Sequence, residues 1–412
     1  MDTDMWLPPV CRGMKYLDRT QFHKNISLQA ARIRPELIAK LQSNFPKEIF
    51  RAKRVKRVYE EGDKKLVLLQ STSSDLQNFL RAHDADIIPY TVTLDYDFWN
   101  TDSILKAVLP EKFADNIPGS FTGTGHIAHM NLQDEFLPYK NLIGQVILDK
   151  NERITMVVNK IDTIDTSFRT FKMEVLASSG DINYIVDQKE SGCRFRFDFE
   201  NVYWNSRLQG EHGRLIDQFK RGEVIADVFA GVGPFAVPAG KKMCFVLAND
   251  LNTHSYKWLK HNIVDNKVTD TVIPYCLDGK EFIKKSIDEI KKYAGSVQRI
   301  HNKKKQEITV HPWIDHYVMN LPATAINFLS AFRDMQFDKS QPPPLVHVYS
   351  FSGQKDIQEA KKELLLKASQ EIGRPVKGDI WYVRNVAPNK VCNKAPLETL
   401  LYILFNSIQQ QQ

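Results

Sequence analysis

Short apolar runs alternate with helix-spaced mixed segments through the second half of this chain. Residues 224–229 form one such run, ending in Ala230-Gly231-Val232-Gly233-Pro234, where small residues let backbone approach a ligand and Pro234 can open a helix. A second run, 244–248, stops at Asn249-Asp250, so an acidic side chain sits at the carboxyl end of the neighbouring strand. Further strands are predicted at 272–275, 314–319, 345–349 and 379–385, with helices at 280–290, 323–332 and 357–371. This alternation predicts an α/β domain with a mostly parallel, doubly wound sheet covered on both faces.

The first half is less regular. Residues 1–118 read as an α+β module, with helical spacing at 37–45 and strands at 65–70 and 87–94. Its basic run, 51–57, suits either a solvated face or RNA contact. Residues 119–201 read as a strand-rich middle domain with elements at 125–132, 142–148, 154–160 and 168–177, closed by a hairpin at 184–198 that turns at Gly192. His126 and His129, three apart, fit structural or hydrogen-bonding histidines better than metal ligands. The third domain, 202–390, opens with a segment running into a helix toward Phe219; on such a helix Arg207 and Glu211, four apart, could pair. Within it, 293–306 reads as a basic surface loop. Residues 391–412 form an atypical tail.

Composition narrows the function classes modestly. A length of 412 residues implies more than one domain, and a net charge of +7 permits an acidic partner without demanding one. The five cysteines show no C-x-x-C spacing, which argues against a zinc site, a disulfide framework and an oxidising compartment. No apolar run has the length to cross a bilayer, and Met1-Asp-Thr-Asp is acidic where a transit peptide would be basic. A soluble intracellular monomer without membrane contact is expected.

Gly231-x-Gly233 alone fits an ordinary turn as well as a nucleotide site. The longer Asp227-Val-Phe-Ala-Gly-Val-Gly-Pro-Phe, however, resembles the first motif of class I S-adenosylmethionine-dependent methyltransferases, and Asn320-Leu-Pro-Ala resembles their Asn/Asp-Pro-Pro-aromatic motif. Together with Phe168-Arg-Thr-Phe-Lys-Met-Glu-Val-Leu-Ala and Tyr203-Trp-Asn-Ser-Arg-Leu-Gln-Gly-Glu211, they resemble the archaeal and eukaryotic tRNA (guanine-37-N1)-methyltransferases over about residues 120–390. Gly125-His-Ile-Ala-His and Val383-Arg-Asn-Val-Ala-Pro-Asn-Lys look like the same family.

The resemblance implies a Rossmann-like class I methyltransferase domain preceded by smaller α+β RNA-binding domains, S-adenosylmethionine as methyl donor, no metal, and a tRNA partner gripped at its anticodon loop and body. It places such a protein in the cytoplasm, the nucleus or the mitochondrial matrix. N1 of neutral guanine carries a proton and is a poor nucleophile, so methylation needs a base for that proton and a donor for charge on O6. By resemblance Glu211 is the base and Arg169 the donor. Asn320 would bond the target base and border the cofactor, Pro322 would shape the pocket, and Tyr203 and Arg207 would line it. Phe229, Gly231 and Gly233 would approach the methionine end of the cofactor, Asp250 and Leu251 the ribose side, and Asp278 the adenine. Desolvation by Trp204 or Pro322 would strengthen Glu211 as a base.

The chain departs from the family pattern twice. Ala323 replaces the motif's aromatic, which leaves stacking on the base to Tyr203 or Trp204, and the tail leaves open whether it completes the sheet. Two rival readings are an aminocarboxypropyl transferase of wybutosine synthesis and a non-catalytic RNA-binding protein retaining the nucleotide fold.

Overall fold

A computed structural model of the chain describes every residue except 1–2, 53, 162–171, 302–303, 338–339, 355, 386–396 and 405–412. Two compact units form: 1–121 with 130–159 and 175–180, and 122–129 with 160–174 and 181–412. The stretch 119–201 contributes to both.

In the first unit an antiparallel sheet runs in the order Val58–Glu61, Lys64–Leu69, Lys24–Ile33, Asp86–Leu94. The helices Ile38–Asn44 and Ser74–Ala82 bury Leu41, Leu76 and Leu80 in one cluster with Ile33, Val67 and Leu69 of that sheet. Ser73 caps the second helix, accepting from the Leu76 amide. The run at 142–148, read as part of a strand-rich stretch, lies in the helix Lys140–Lys150. Leu142, Ile143, Val146 and Ile147 are buried at helical spacing, a pattern that a short apolar run hides. Gly144 is required there, because a Cβ would stand 2.5 Å from that of Leu176.

The second unit contains α1 (Gln209–Gln218), β1 (Val224–Asp227), α2 (Ala236–Lys241), β2 (Phe245–Asn249), α3 (Thr253–Asp265), β3 (Val272–Tyr275), α4 (Gly279–Lys291), β4 (His316–Met319), β5 (Leu345–Ser352), α5 (Ile357–Ile372), β6 (Lys377–Asn385) and β7 (Leu397–Leu404). The seven strands lie in the order β3-β2-β1-β4-β5-β7-β6. Adjacent strands from β3 to β5 pair in parallel, whereas β7 is antiparallel to both β5 and β6, so the sheet is mixed. β7 answers the question the tail left open: it inserts between β5 and β6, with Val348 opposite Leu401 and with Leu400, Leu401 and Ile403 buried. Every residue of β1 and β2 is buried, which is why they read as unbroken apolar runs. Strand order reverses between β1 and β4, and ligands in such sheets bind outside the carboxyl ends at that point.

Three local expectations are revised. The lysine-rich 293–306 is no plain loop but belongs to the hairpin Gly295–His301 with Lys304–Val310, whose charged residues mask the strand alternation. Residues 323–332 form 3-10 turns at Ala325–Phe332 rather than an α-helix. Gly125 turns with φ +56 between Thr122–Thr124 and Ile127–Met130, which pair antiparallel where one strand was expected. The hairpin at Gly192 forms, joining Ile185–Glu190 to Cys193–Asp198 through Ser191 and Gly192 at positive φ. Among the described residues no helix is long and apolar enough to cross a membrane.

Candidate active site

After β1 the backbone turns through Gly231 at φ +55 and Gly233 at φ +100, conformations that glycine tolerates and L side chains avoid. The two glycines differ in what surrounds them. A Cβ on Gly233 would stand 2.7 Å from Val237 and 3.0 Å from Leu259, whereas one on Gly231 would meet nothing within 4 Å. Gly233 therefore serves packing, and Gly231 faces open space.

Asp250 fixes this loop, accepting from the Gly231 amide (2.8 Å) and the Asn252 amide (2.9 Å). Burial pushes its carboxyl up to about 6 against the pull of those two amides. Its neighbour Asn249 ties the strand ends together, donating to the Val228 and Leu277 carbonyls (3.1 and 3.0 Å) and accepting from the Leu277 amide (2.9 Å). Asp278 is exposed and caps α4, its Oδ1 accepting from the Lys280 and Glu281 amides (2.8 and 3.3 Å). Phe229 and Phe328 meet edge to face at 4.9 Å over Gly279, whose Cβ would stand 2.9 Å from Phe229. Leu251 is 52% exposed beside Asp250.

Asp227 received no role from the sequence, although it stands first in the quoted motif. It is wholly buried, and neither carboxyl oxygen has a hydrogen-bond partner among the described residues. Burial, and then the charge of Asp250, push this carboxyl well above the ordinary range; the Phe229 amide opposes the shift without reaching hydrogen-bonding geometry. An acidic residue ending an otherwise apolar, doubly buried strand was the available signal. Such a carboxyl beside a second one and an open glycine turn fits a cationic ligand.

On the other side of the strand reversal, α1 carries Glu211, which is 8% exposed. Its Oε2 accepts from Arg214 Nε (2.7 Å), and its Oε1 accepts from Arg214 Nη2 (2.6 Å) and Tyr349 Oη (2.8 Å). Arg207 is not its partner. That residue lies in the 3-10 turn Ser206–Leu208 ahead of α1, so helical four-residue spacing does not apply, and its guanidinium donates to Thr122 Oγ1 (3.3 Å). Tyr349 packs 6.0 Å from the ring of Phe235, which directly follows the glycine turn.

Asn320 follows β4, and its Oδ1 is buried without a hydrogen-bond partner among the described residues. Pro322 is buried, and its carbonyl accepts from the Phe351 amide (3.2 Å), which stitches the Asn-Leu-Pro motif to β5 two residues beyond Tyr349. Tyr203 is half-buried, its hydroxyl accepting from Asn205 Nδ2 (3.4 Å). Trp204 cannot stack on a base. It is buried 5.5 Å from Phe195 and 4.8 Å from Phe197, with its indole donating to Ser206 Oγ (3.2 Å). Polar donors, Arg214 and Tyr349, surround the Glu211 carboxylate where Trp204 or Pro322 was expected to desolvate it.

Arg169 lies outside the described residues. His126 Nε2 donates to the Asn183 carbonyl (2.9 Å). His129 packs on Phe199 at 5.2 Å and is pulled down to about 4 by burial and then by the charges of Lys160 and Arg207.

The profile of the TRM5/TYW2 methyltransferase domain matches residues 186–302, and that of the TYW2 N-terminal domain matches 101–181. The chain is similar to the tRNA (guanine(37)-N(1))-methyltransferase of Schizosaccharomyces pombe, 44% identical over 409 residues that cover 92% of both proteins. It is similar also to that of Coprinopsis cinerea, 40% identical over 430 residues that cover 93% of each. The solved complex of aTrm5 and tRNALeu shares the fold with a TM-score of 0.62 at 19% identity, over 91% of this chain and 99% of that one.

Proposed function

The chain belongs to the tRNA (guanine(37)-N(1))-methyltransferase family, and on that premise we propose that it methylates N1 of guanosine 37 in tRNA, with Glu211 as the base that removes the N1 proton. One juxtaposition carries the reading. The strand end that holds the open glycine turn and the unpartnered Asp227 also holds an unpartnered Asn320 oxygen and the strand β5 to which the buried Glu211 is bonded.

S-adenosylmethionine, when bound, supplies a methyl carbon already activated by its sulfonium. Asp227 would hold the cationic amino acid end of that donor beside Phe229 and Gly231, Asp250 and Leu251 its ribose side, and Asp278 its adenine. Asn320 Oδ1 accepts a hydrogen bond from the edge of the target base, and Pro322, Tyr203 and Arg207 line the pocket. Glu211 would take the N1 proton, which would leave on N1 the electron pair that bonds the donor's methyl carbon as the C–S bond breaks. Arg169 would steady the negative charge that builds on O6 while the proton leaves N1. General base assistance of this kind contributes about 10²–10⁴ in rate. Position 37 lies in a loop, so its base can be splayed out at lower cost than from a duplex. The α/β architecture and mixed sheet support a Rossmann-like class I domain, with the smaller modules ahead of it gripping the tRNA body.

The test is methylation of unmodified tRNA transcripts carrying guanosine or adenosine at position 37, with the product weighed. The expected result is a single methyl on N1 of guanosine. Reaction at both bases would overturn the base-specific pocket, and an added aminocarboxypropyl mass would favour the rival transferase.

A further inference from the structure

An ionised carboxylate only accepts hydrogen bonds, and it offers about four lone-pair positions. On Glu211, Oε1 has both of its positions filled, by Arg214 Nη2 and Tyr349 Oη, and Oε2 has one filled, by Arg214 Nε. Among the described residues no donor fills the last position, on Oε2. We infer that Arg214 and Tyr349 are positioning residues for methyl transfer, which fix the Glu211 carboxylate so that this last Oε2 position receives the guanine N1 proton. The inference rests on the reading of Glu211 as the base.

Each clamp residue is itself held. The Arg214 guanidinium lies 4.9 Å from the ring centre of Trp381 on β6 and 6.0 Å from that of Tyr402 on β7. The antiparallel strand pair that closes the sheet thus supplies a seat for the arginine. Burial alone would weaken the guanidinium's hold on its proton, but the Glu211 carboxylate outweighs it and the charge is kept. Tyr349 is wholly buried, and burial, then the charge of Glu211, push its hydroxyl well above its usual value, so it remains a donor. Neither residue can take the N1 proton itself, because arginine has no acceptor and the tyrosine is already protonated.

The proton balance is simple. The N1–H bond breaks, an O–H bond forms on Oε2, and the pair left on N1 makes the N1–C bond while the C–S bond of the donor breaks. Rate in such a step depends on alignment, so a loosened carboxylate should cost turnover and spare affinity. Loss of an ordinary ion pair three residues apart on a helix would leave turnover unchanged as well.

The experiment uses the full chain, a guanosine-37 transcript and single-turnover kinetics, with tRNA and cofactor affinities and the thermal midpoint measured alongside. Tyr349→Phe, which removes one hydroxyl, is expected to slow methyl transfer about tenfold, and Arg214→Lys on the order of 10²-fold, with both affinities nearly unchanged. Adding Tyr349→Phe to Glu211→Gln should slow that variant no further, because residues acting through one group are not additive. The same factor in both backgrounds would overturn the inference, as would unchanged rates with a lowered midpoint. Glu211→Gln at full rate would sink the general-base reading, and the clamp with it. A crippled Glu211→Gln beside fully active Tyr349→Phe and Arg214→Lys would sink the clamp alone.

Discussion

At the amino ends of β1, β4 and β5 titratable groups, His347 buried and the others half-buried, bond to one another. His316 Nε2 donates to Glu223 (3.1 Å), which also accepts from the Lys220 amide (2.6 Å), and His347 Nε2 meets His316 Nδ1 at 3.0 Å. Asp315 accepts from the Val224 amide (2.7 Å), from the Trp313 indole (3.3 Å) and from His311 Nε2 (2.9 Å). What is left over there, among the described residues, is imidazole nitrogen, His311 Nδ1 and His347 Nδ1. At the carboxyl ends of the same strands the leftovers are both oxygens of Asp227 and the Oδ1 of Asn320, beside a glycine with open space in front of it. Ionisable residues withdrawn from solvent therefore do not mark a site by themselves. Strong acceptors left without donors, facing room for a ligand, do.

The largest test of this contrast is catalytic. Glu211→Gln should slow methylation about 10²–10⁴-fold, the range for loss of a general base. His316→Gln, at the bonded end, should leave the rate of methylation unchanged while lowering the thermal midpoint. Comparable rate losses in the two variants would erase the distinction between the ends.

The next test is the stability of the cofactor-free protein against pH, where the two ends should slope in opposite directions. Asp227 and Asp250 have raised folded values, so the unfolded chain releases their protons first. Stability from this end is present below about 3.8 and is lost as pH rises through the folded values, about 6 for Asp250. His347 is held well below 6.5 by burial and then by the charges of His316 and Arg214, so its contribution is present above 6.5 and is lost as pH falls toward its folded value. Asp227→Asn should raise and flatten the first slope while weakening S-adenosylmethionine binding about 10- to 100-fold, the equivalent of one charge-assisted hydrogen bond of ~1.5–3 kcal/mol. Calorimetry in matched buffers, with cofactor titrations, measures both effects.

His347→Leu acts on the second slope. It leaves His316 Nδ1 without its buried partner, which should cost about 1–3 kcal/mol at neutral pH, and it removes the acid-side loss. Denaturant melts of this variant at two pH values, one on each side of 6.5, would detect the change; an unaltered acid slope would remove His347 from the account.

How legible this contrast was from sequence depends on burial. The run into Gly231 and the run into Asp250 could be read because strands buried on both faces are apolar without interruption. β7 was left open because its apolar run at 397–404 carries no sign of its partners, and one of them, β5, lies beyond α5 and β6 in the chain. The sequence reading paired Glu211 with Arg207 and overlooked Arg214, because four-residue spacing suits a helix and only the start of α1 at Gln209 excludes it. Tyr349 stands 138 residues from Glu211, and no local pattern could have joined them. Asp227 was overlooked for a different reason: a single acidic residue in a motif says nothing about whether a donor meets it, and that absence is what gives the residue meaning.

The smallest effect lies at Asp278, where the two kinds of polar group meet in one side chain. Its Oδ1 is spent on the first turn of α4, as at the bonded end, while its proposed second use is to accept from adenine, as at the open end. Asp278→Ala removes both functions and should cost about 1 kcal/mol of stability, the usual loss for an N-cap. Asp278→Asn keeps an oxygen for the cap but replaces the other oxygen with an amide that can only donate, so stability should change by only a few tenths of a kcal/mol. Both variants should weaken cofactor binding alike, because neither offers adenine a second acceptor. Thermal midpoints paired with cofactor titrations separate the two uses, and if Asp278→Asn bound the cofactor at full strength, the aspartate would belong wholly to the helix it caps.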